Sequence, residues 1–213
     1  MNVEAILEFS DNSAIKISFL QDVAPSYNVF CDLVEAKILE AVYALEHQKP
    51  LYHNLGEDQL TGILVIGLKV AGLDAEHDTF RNGHVDILVK NGRYEWLAEA
   101  KLDDGPAYIM DGFRQLADRY SDGAPTGCRG GLLIYTKKTN KVSFMDGWLN
   151  HLSANYEVPV TRSIRCSDTL TSYTSHAHHA TGIEYRVKHF AVSMYYNPTD
   201  KSARKAKGKL APT

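Results

Sequence analysis

The feature that most constrains this chain is the stretch Gly83 to Lys101, where two runs of β-forming residues meet at Asn91-Gly92. Asn-Gly is a strong short-range hairpin signal, because the tight two-residue turns need positive φ, which Asn and Gly tolerate. With Asn91 and Gly92 as the loop, Lys90 faces Arg93, Leu88 faces Glu95, Asp86 faces Leu97 and His84 faces Glu99. Alternation along each strand then puts Asp86, Glu99 and Lys101 on one face. Val85, Ile87, Val89, Tyr94, Trp96, Ala98 and Ala100 take the other. One face is apolar and built for burial; the other carries two acids and an amine.

Such a cluster suits metal-assisted phosphodiester hydrolysis. Two carboxylates offer the hard oxygens that Mg²⁺ prefers, with water completing its shell. The cation lowers the pKa of a bound water and neutralises charge developing on the phosphate. A lysine on the same face can orient that water or stabilise the transition state. An ordinary charged sheet face is the alternative reading of the same triplet.

The Asp-x(n)-Glu-x-Lys pattern over a hairpin resembles the PD-(D/E)XK nuclease superfamily. The succession helix, strand, strand, strand, helix, strand from about 55 to 136 is similar to that superfamily's core. The resemblance implies an α/β/α sandwich around a mixed central β-sheet, here with an extra N-terminal β-hairpin. It implies hydrolysis of phosphodiester bonds with Mg²⁺ (Mn²⁺ substituting), in DNA sooner than RNA, in phage defence, restriction or repair. Asp86, Glu99 and the backbone carbonyl of Ala100 would hold the metal, and Glu57 on the first core helix would join them. Lys101 would position the attacking water, and Gln115 would orient Lys101 or contact a phosphate. A homodimer would let such an enzyme cut both strands. Phe113 to Tyr120 resembles the glutamine-to-tyrosine helix of exonuclease-like members. However, Gln115 to Tyr120 is one residue too long, whereas Gln115 to Arg119 has the family interval. Val85 stands where the family often has proline. A catalytically inactive nuclease-like module that binds nucleic acid or a partner protein is the second reading.

The remaining elements follow from periodicity. Residues 3–9 and 14–20 read as an opening hairpin, and 29–47 as a helix whose apolar residues recur at helical spacing up to Lys49-Pro50. A second helix runs from about Gly56 to Leu73, with Glu57 and Asp58 in its first turn, where the helix dipole alone would explain an acid. A strand near 75–80, the hairpin, a helix over 107–121, a strand at 131–135 and a helix over 143–154 come next. Val158–Ser167 and Ile183–Tyr196 read as strands or irregular cover. Residues 1–198 are expected to form one nuclease-like domain, and the basic residues from 199 onward a disordered tail.

Other residues carry weaker signals. Asp58 and Glu35 compete with Glu57 as the helical acid, and Glu95 reads as a solvated acid near the turn. His84, Arg119 and, in the tail, Lys205 are candidates for contacting nucleic acid. The run Ser175 to His179 reads as a surface loop rather than a metal site, since no acid or cysteine lies at ligand spacing. Tyr52, Tyr108 and Tyr120 read as packing residues.

Composition excludes little. In 213 residues the net charge is −3, so bulk charge argues neither for nor against a nucleic-acid partner. Cys31, Cys128 and Cys166 are too scattered for a disulfide framework or structural zinc, which fits a reducing compartment. The longest apolar run, Gly62 to Leu73, is interrupted by Lys69 and too short to cross a bilayer. The expectation is a cytoplasmic protein without a membrane partner.

Overall fold

The computed structural model describes residues 26–166 and 169–200. The expected opening hairpin and the basic tail with Lys205 lie outside the described residues.

Helix α1 spans Tyr27–His47 and is capped by Ser26, whose hydroxyl accepts the Val29 N–H. It buries Phe30, Val34, Ile38, Val42 and Leu45, a stripe recurring every three to four residues. A single turn, α2 (Lys49–Tyr52), has Pro50 in its first positions and marks the stop of α1. Then follow α3 (Glu57–Val70), β1 (Asp74–Phe80), β2 (His84–Asn91) and β3 (Tyr94–Leu102). Helix α4 (Pro106–Arg114) continues as a π-helical segment, Gln115–Tyr120. The chain closes with β4 (Arg129–Thr136), α5 (Lys141–Asn155), β5 (Arg162–Cys166), β6 (Thr171–Ala177) and β7 (Glu184–Ser193).

All seven strands form one mixed sheet in the order β1-β2-β3-β4-β7-β6-β5. The pairs β3–β4 and β4–β7 are parallel; the other four are antiparallel. Helices cover both faces. α1 and α3 pack on one side, over Ile87, Val89, Trp96, Leu133, Tyr135 and Phe190. α4, the π-helical segment and α5 pack on the other, over Leu88, Leu97, Leu132, Ile134 and Val187. The central strand β4 is buried at every position, which explains its unbroken apolar run. No described helix is long and apolar enough to cross a membrane.

Two expectations are corrected. The hairpin closes at Asn91↔Tyr94, so Lys90 faces Glu95 and Leu88 faces Leu97, two residues away from the alignment expected from the sequence. Gly92 has φ +56° and Arg93 is not left-handed, the pattern of a type II′ turn with glycine first. A shift of two conserves strand parity, so the face assignments of β3 survive it. His84 consequently does not face Glu99; it pairs with Phe80 on β1, exposed, with its Nδ1 2.9 Å from Asp78 Oδ1. Second, Ser175–Ala177 is no surface loop but the end of β6, in which His176 is fully buried among Phe113, Tyr156 and Tyr185. For Ile183–Tyr196 the strand alternative holds: β7 sits inside the sheet between β4 and β6.

Candidate active site

Asp86 sits where its strand parts from both neighbours. The β1–β2 ladder runs to His77↔Ile87 and resumes at Thr79↔Val85, skipping Asp86, and the β2–β3 ladder stops at Ile87↔Ala98. Asp78, across from Asp86, has φ +52°. Val85 packs in the core under α4, while Ile87 and Val89 pack under α3, so the alternation breaks at Asp86. A carboxylate at that break finds a backbone donor: the Ala100 N–H donates to Asp86 Oδ2 at 2.7 Å.

Glu99 and Lys101 lie on β3 beneath α4, their side chains only 3% and 10% exposed. Lys101 Nζ donates to Glu99 Oε1 at 2.6 Å and to Glu57 Oε1 at 3.3 Å. Glu57 comes from the first turn of α3, and its other oxygen accepts the Leu102 N–H at 2.6 Å. Sequence reasoning left this acid open to a dipole role alone. Its carboxylate instead ties the helix start to the end of β3 and braces the lysine. Glu35 and Asp58 are excluded as its replacements. Glu35 is buried in a separate ion cluster with Arg129, and Asp58 is exposed on α3.

The electrostatics are those of a crowded acid pair. Burial, and next the charge of Asp86, push the Glu99 carboxyl up to about 8 against the pull of Lys101. Burial also raises Asp86, although the Ala100 N–H and Lys101 pull it down. Burial works against the Lys101 ammonium, but Glu99, Glu57 and Asp86 outweigh it, and its pKa is raised. Glu99 Oε2 is buried and makes no hydrogen bond. A buried carboxylate oxygen without a donor is costly, and a cation beside it would relieve both that cost and the repulsion from Asp86. Among the described residues no three His, Cys, Asp or Glu side chains form a ready metal-binding group. The donor set is therefore two carboxylates, with the Ala100 carbonyl on the same strand, which suits a cation that keeps several waters.

Two contacts were not foreseen. Tyr108, expected to be packing, is substantially exposed, with its hydroxyl donating to Glu57 Oε2 at 3.4 Å and its ring 5.6 Å from Lys101 Nζ. Gly112 on α4 passes directly over the lysine stem: a Cβ there would lie 2.6 Å from Lys101 Cγ. An isolated glycine inside an amphipathic helix was the available signal.

The helix expected over 107–121 ends in a π-helical turn. Its bonds span five residues, as in Ser121 N–H to Leu116 C=O. Tyr120 is buried, and burial together with Glu99 raises its pKa. Gln115 Oε1 is buried without a hydrogen bond. Arg119, which had the family interval, is exposed and donates to the Asn82 carbonyl at 2.9 Å, stapling the β1–β2 turn. Glu95 pairs with Arg81 at 2.8 Å away from the cluster. No protein-family model, curated protein or solved structure matches the chain.

Proposed function

We propose that this protein is a divalent-metal-dependent nuclease of the PD-(D/E)XK, restriction-endonuclease-like type, hydrolysing phosphodiester bonds, with DNA the expected substrate. One observation carries the reading: Glu99 is buried with one oxygen on Lys101 and the other without a donor, beside a second carboxyl whose charge repels it. The order α3-β1-β2-β3-α4-β4 around a mixed sheet supports the same reading. Phage defence, restriction or repair is the setting this type of enzyme suggests.

Asp86, Glu99 and the Ala100 carbonyl would hold Mg²⁺ or Mn²⁺. When bound, the cation supplies Lewis acidity and a more acidic water. The chain's own residues do the positioning. Glu57 and Glu99 fix the Lys101 ammonium from two sides, and Gly112 lets its stem lie flat against α4. The ammonium then donates to the attacking water or to a phosphate oxygen as charge develops there. Gln115, whose amide oxygen is buried without a hydrogen bond, would orient that donor or contact a phosphate. Tyr108 closes the solvent side of Glu57 and Lys101.

Asp86→Asn tests this directly, because an amide oxygen still accepts the Ala100 N–H while the charge is lost. We expect metal-dependent cleavage of plasmid and linear DNA, abolished by EDTA and lowered by about a hundredfold or more in Asp86→Asn. Mn²⁺ should raise the melting temperature of the wild type but not of Asp86→Asn. Cleavage at the wild-type rate by Asp86→Asn, Glu99→Gln and Lys101→Met alike would overturn the assignment. One observation favours the second reading, a module that grips nucleic acid without cutting: Lys101 already compensates Glu99 and Glu57, with no three-ligand group among the described residues. Metal-independent binding with steep salt dependence and no cleavage with any metal would identify it.

A further inference from the structure

A cleft of about 700 Å³ opens between α4 and α5, beside the carboxyl end of β3 and the loop after β4. Its floor is apolar: Ile109 from α4, and Phe144 and Trp148 from α5, of which Phe144 shows most surface, 8% exposed with the Lys138 ammonium 5.0 Å from its ring centre. Lys137 and Lys138 stand at its rim. The acid in the lining, Asp103, is already matched, accepting from Thr136 Oγ1 at 2.7 Å and from Lys138 Nζ at 3.2 Å. That leaves exposed Lys137 as the excess charge, so the cleft is apolar inside and positive at its edge.

Gly147 lies in the middle of α5 and lines the same cleft. A Cβ there would meet nothing within 4 Å. A glycine inside a helix is unfavourable relative to alanine, and no neighbour in the fold requires this one. Its effect is to keep the cleft wall flat and the space in front of it open. The cleft also adjoins the acid–lysine cluster. Pro106 and Ile109, which line it, share the first turns of α4 with Tyr108, whose ring sits 5.6 Å from Lys101 Nζ.

We propose that this cleft takes one unstacked base of a single-stranded nucleic acid, with the adjoining backbone phosphate held at Lys137. The proposal rests on the nuclease reading and names its substrate: a strand crossing the first turns of α4 from the acid–lysine cluster. The slot is sized for a flat base and sugar, not for a duplex. An apolar floor takes a base without reading its edge, so binding there is tolerant of sequence, and the rim lysine adds a salt-dependent phosphate contact.

The test is fluorescence anisotropy of a labelled oligothymidylate of about a dozen nucleotides with the full-length protein in EDTA, so that cleavage plays no part. Gly147→Leu fills the slot and should weaken binding by about tenfold or more. Gly147→Ala should weaken it by a smaller factor while melting at the same or a higher temperature than wild type. Lys137→Glu should weaken binding and reduce the salt slope by about one. Wild-type affinity in Gly147→Leu, or preference for a duplex of equal length over the single strand, would overturn the proposal. Cleavage that depends on Asp86 without binding that depends on Gly147 sinks the cleft and spares the nuclease. Binding that depends on Gly147, with no cleavage or with cleavage indifferent to Asp86, does the reverse.

Discussion

Lys101 owes its place to a residue that has no side chain. Its stem runs under Gly112, where any Cβ would sit within 3 Å of Cγ and Cε, and its ammonium is trapped between Glu99 and Glu57. Gly112→Ala is therefore expected to disturb the lysine. Alanine favours the helix by up to about 1 kcal/mol, but its Cβ would lie 2.6 Å from Cγ of a buried stem held at both acids, so overpacking should lower the melting temperature. The lysine must shift by about an ångström, and misplacement on that scale can lower cleavage by about a hundredfold. Steady-state cleavage beside a thermal melt checks it; unchanged cleavage would mean that Lys101 does not need this position. Lys101→Ala is a poorer probe, because it leaves two acids without their buried counter-charge, and lost activity would mix chemistry with folding. Of these residues, Glu99 and Lys101 share a face as strand parity requires, whereas Asp86 meets β3 at a break in the alternation that parity does not foresee. Tyr108 was not, because nothing in its own neighbourhood tells a packing tyrosine from one that reaches across to another helix's first turn.

At the scale of elements, α1 is held on the sheet by charge as well as by its apolar stripe. Arg129 at the start of β4 donates to Asp32 at 2.7 Å and to Glu35 at 2.8 Å, and Glu35 also accepts from the Tyr173 hydroxyl and lies 3.5 Å from Lys188 Nζ. Arg129→Met strips the main partner from a buried carboxylate and should destabilise by about 3–5 kcal/mol. Adding Glu35→Leu removes the orphaned charge and should recover a large part of that loss. Urea denaturation of the two variants checks this; no recovery in the double variant would show that the cluster stabilises through its net attraction. Helices α1, α3, α4 and α5 were readable because their apolar spacing is helical. The hairpin faces were readable because an error of two residues in the turn leaves parity intact. β6 was not readable. Thr171, Ser172, Thr174, Ser175 and His176 are buried polar residues, so the strand is covered on both faces by hydrogen-bonding groups and shows no alternation of apolar and polar. Its burial is dictated by β7 and the helices above it, which no local window contains.

At the scale of the molecule, buried titratable groups in two separate places set the dependence of stability on pH. His189, at the centre of β7, accepts the Trp148 indole N–H on Nδ1, so its own proton sits on Nε2 and is directed at Thr174 Oγ1. A second proton would have to enter at Nδ1, against the indole N–H. Burial holds this ring down to about 3 and His176 down to about 4. Both lie below the free value of about 6.5, so the unfolded chain takes up protons first as pH falls. Their contribution is complete above about pH 6.5 and is lost toward pH 4, at about 1.4 kcal/mol per pH unit for each ring. Glu99 acts with the opposite sign. Its folded value near 8 exceeds that of a free carboxyl, so its contribution is complete at low pH and is lost as pH rises from about 4.5 through 8. Asp86, raised by burial in the same direction, acts with Glu99; the two rings oppose these carboxyls below pH 6.5, and above it no ring opposes them. The metal-free protein is therefore expected to melt highest near pH 6.5 and lower on both sides. His189→Gln, whose amide can replace both ring contacts, should flatten the acid limb and leave the alkaline limb unchanged. Glu99→Gln should flatten the alkaline limb and steepen the acid limb, where this carboxyl had opposed the two rings. Melting temperatures from pH 4 to 9 for the three proteins check the assignment, and a wild-type acid limb in His189→Gln would show that this ring is not what acid attacks.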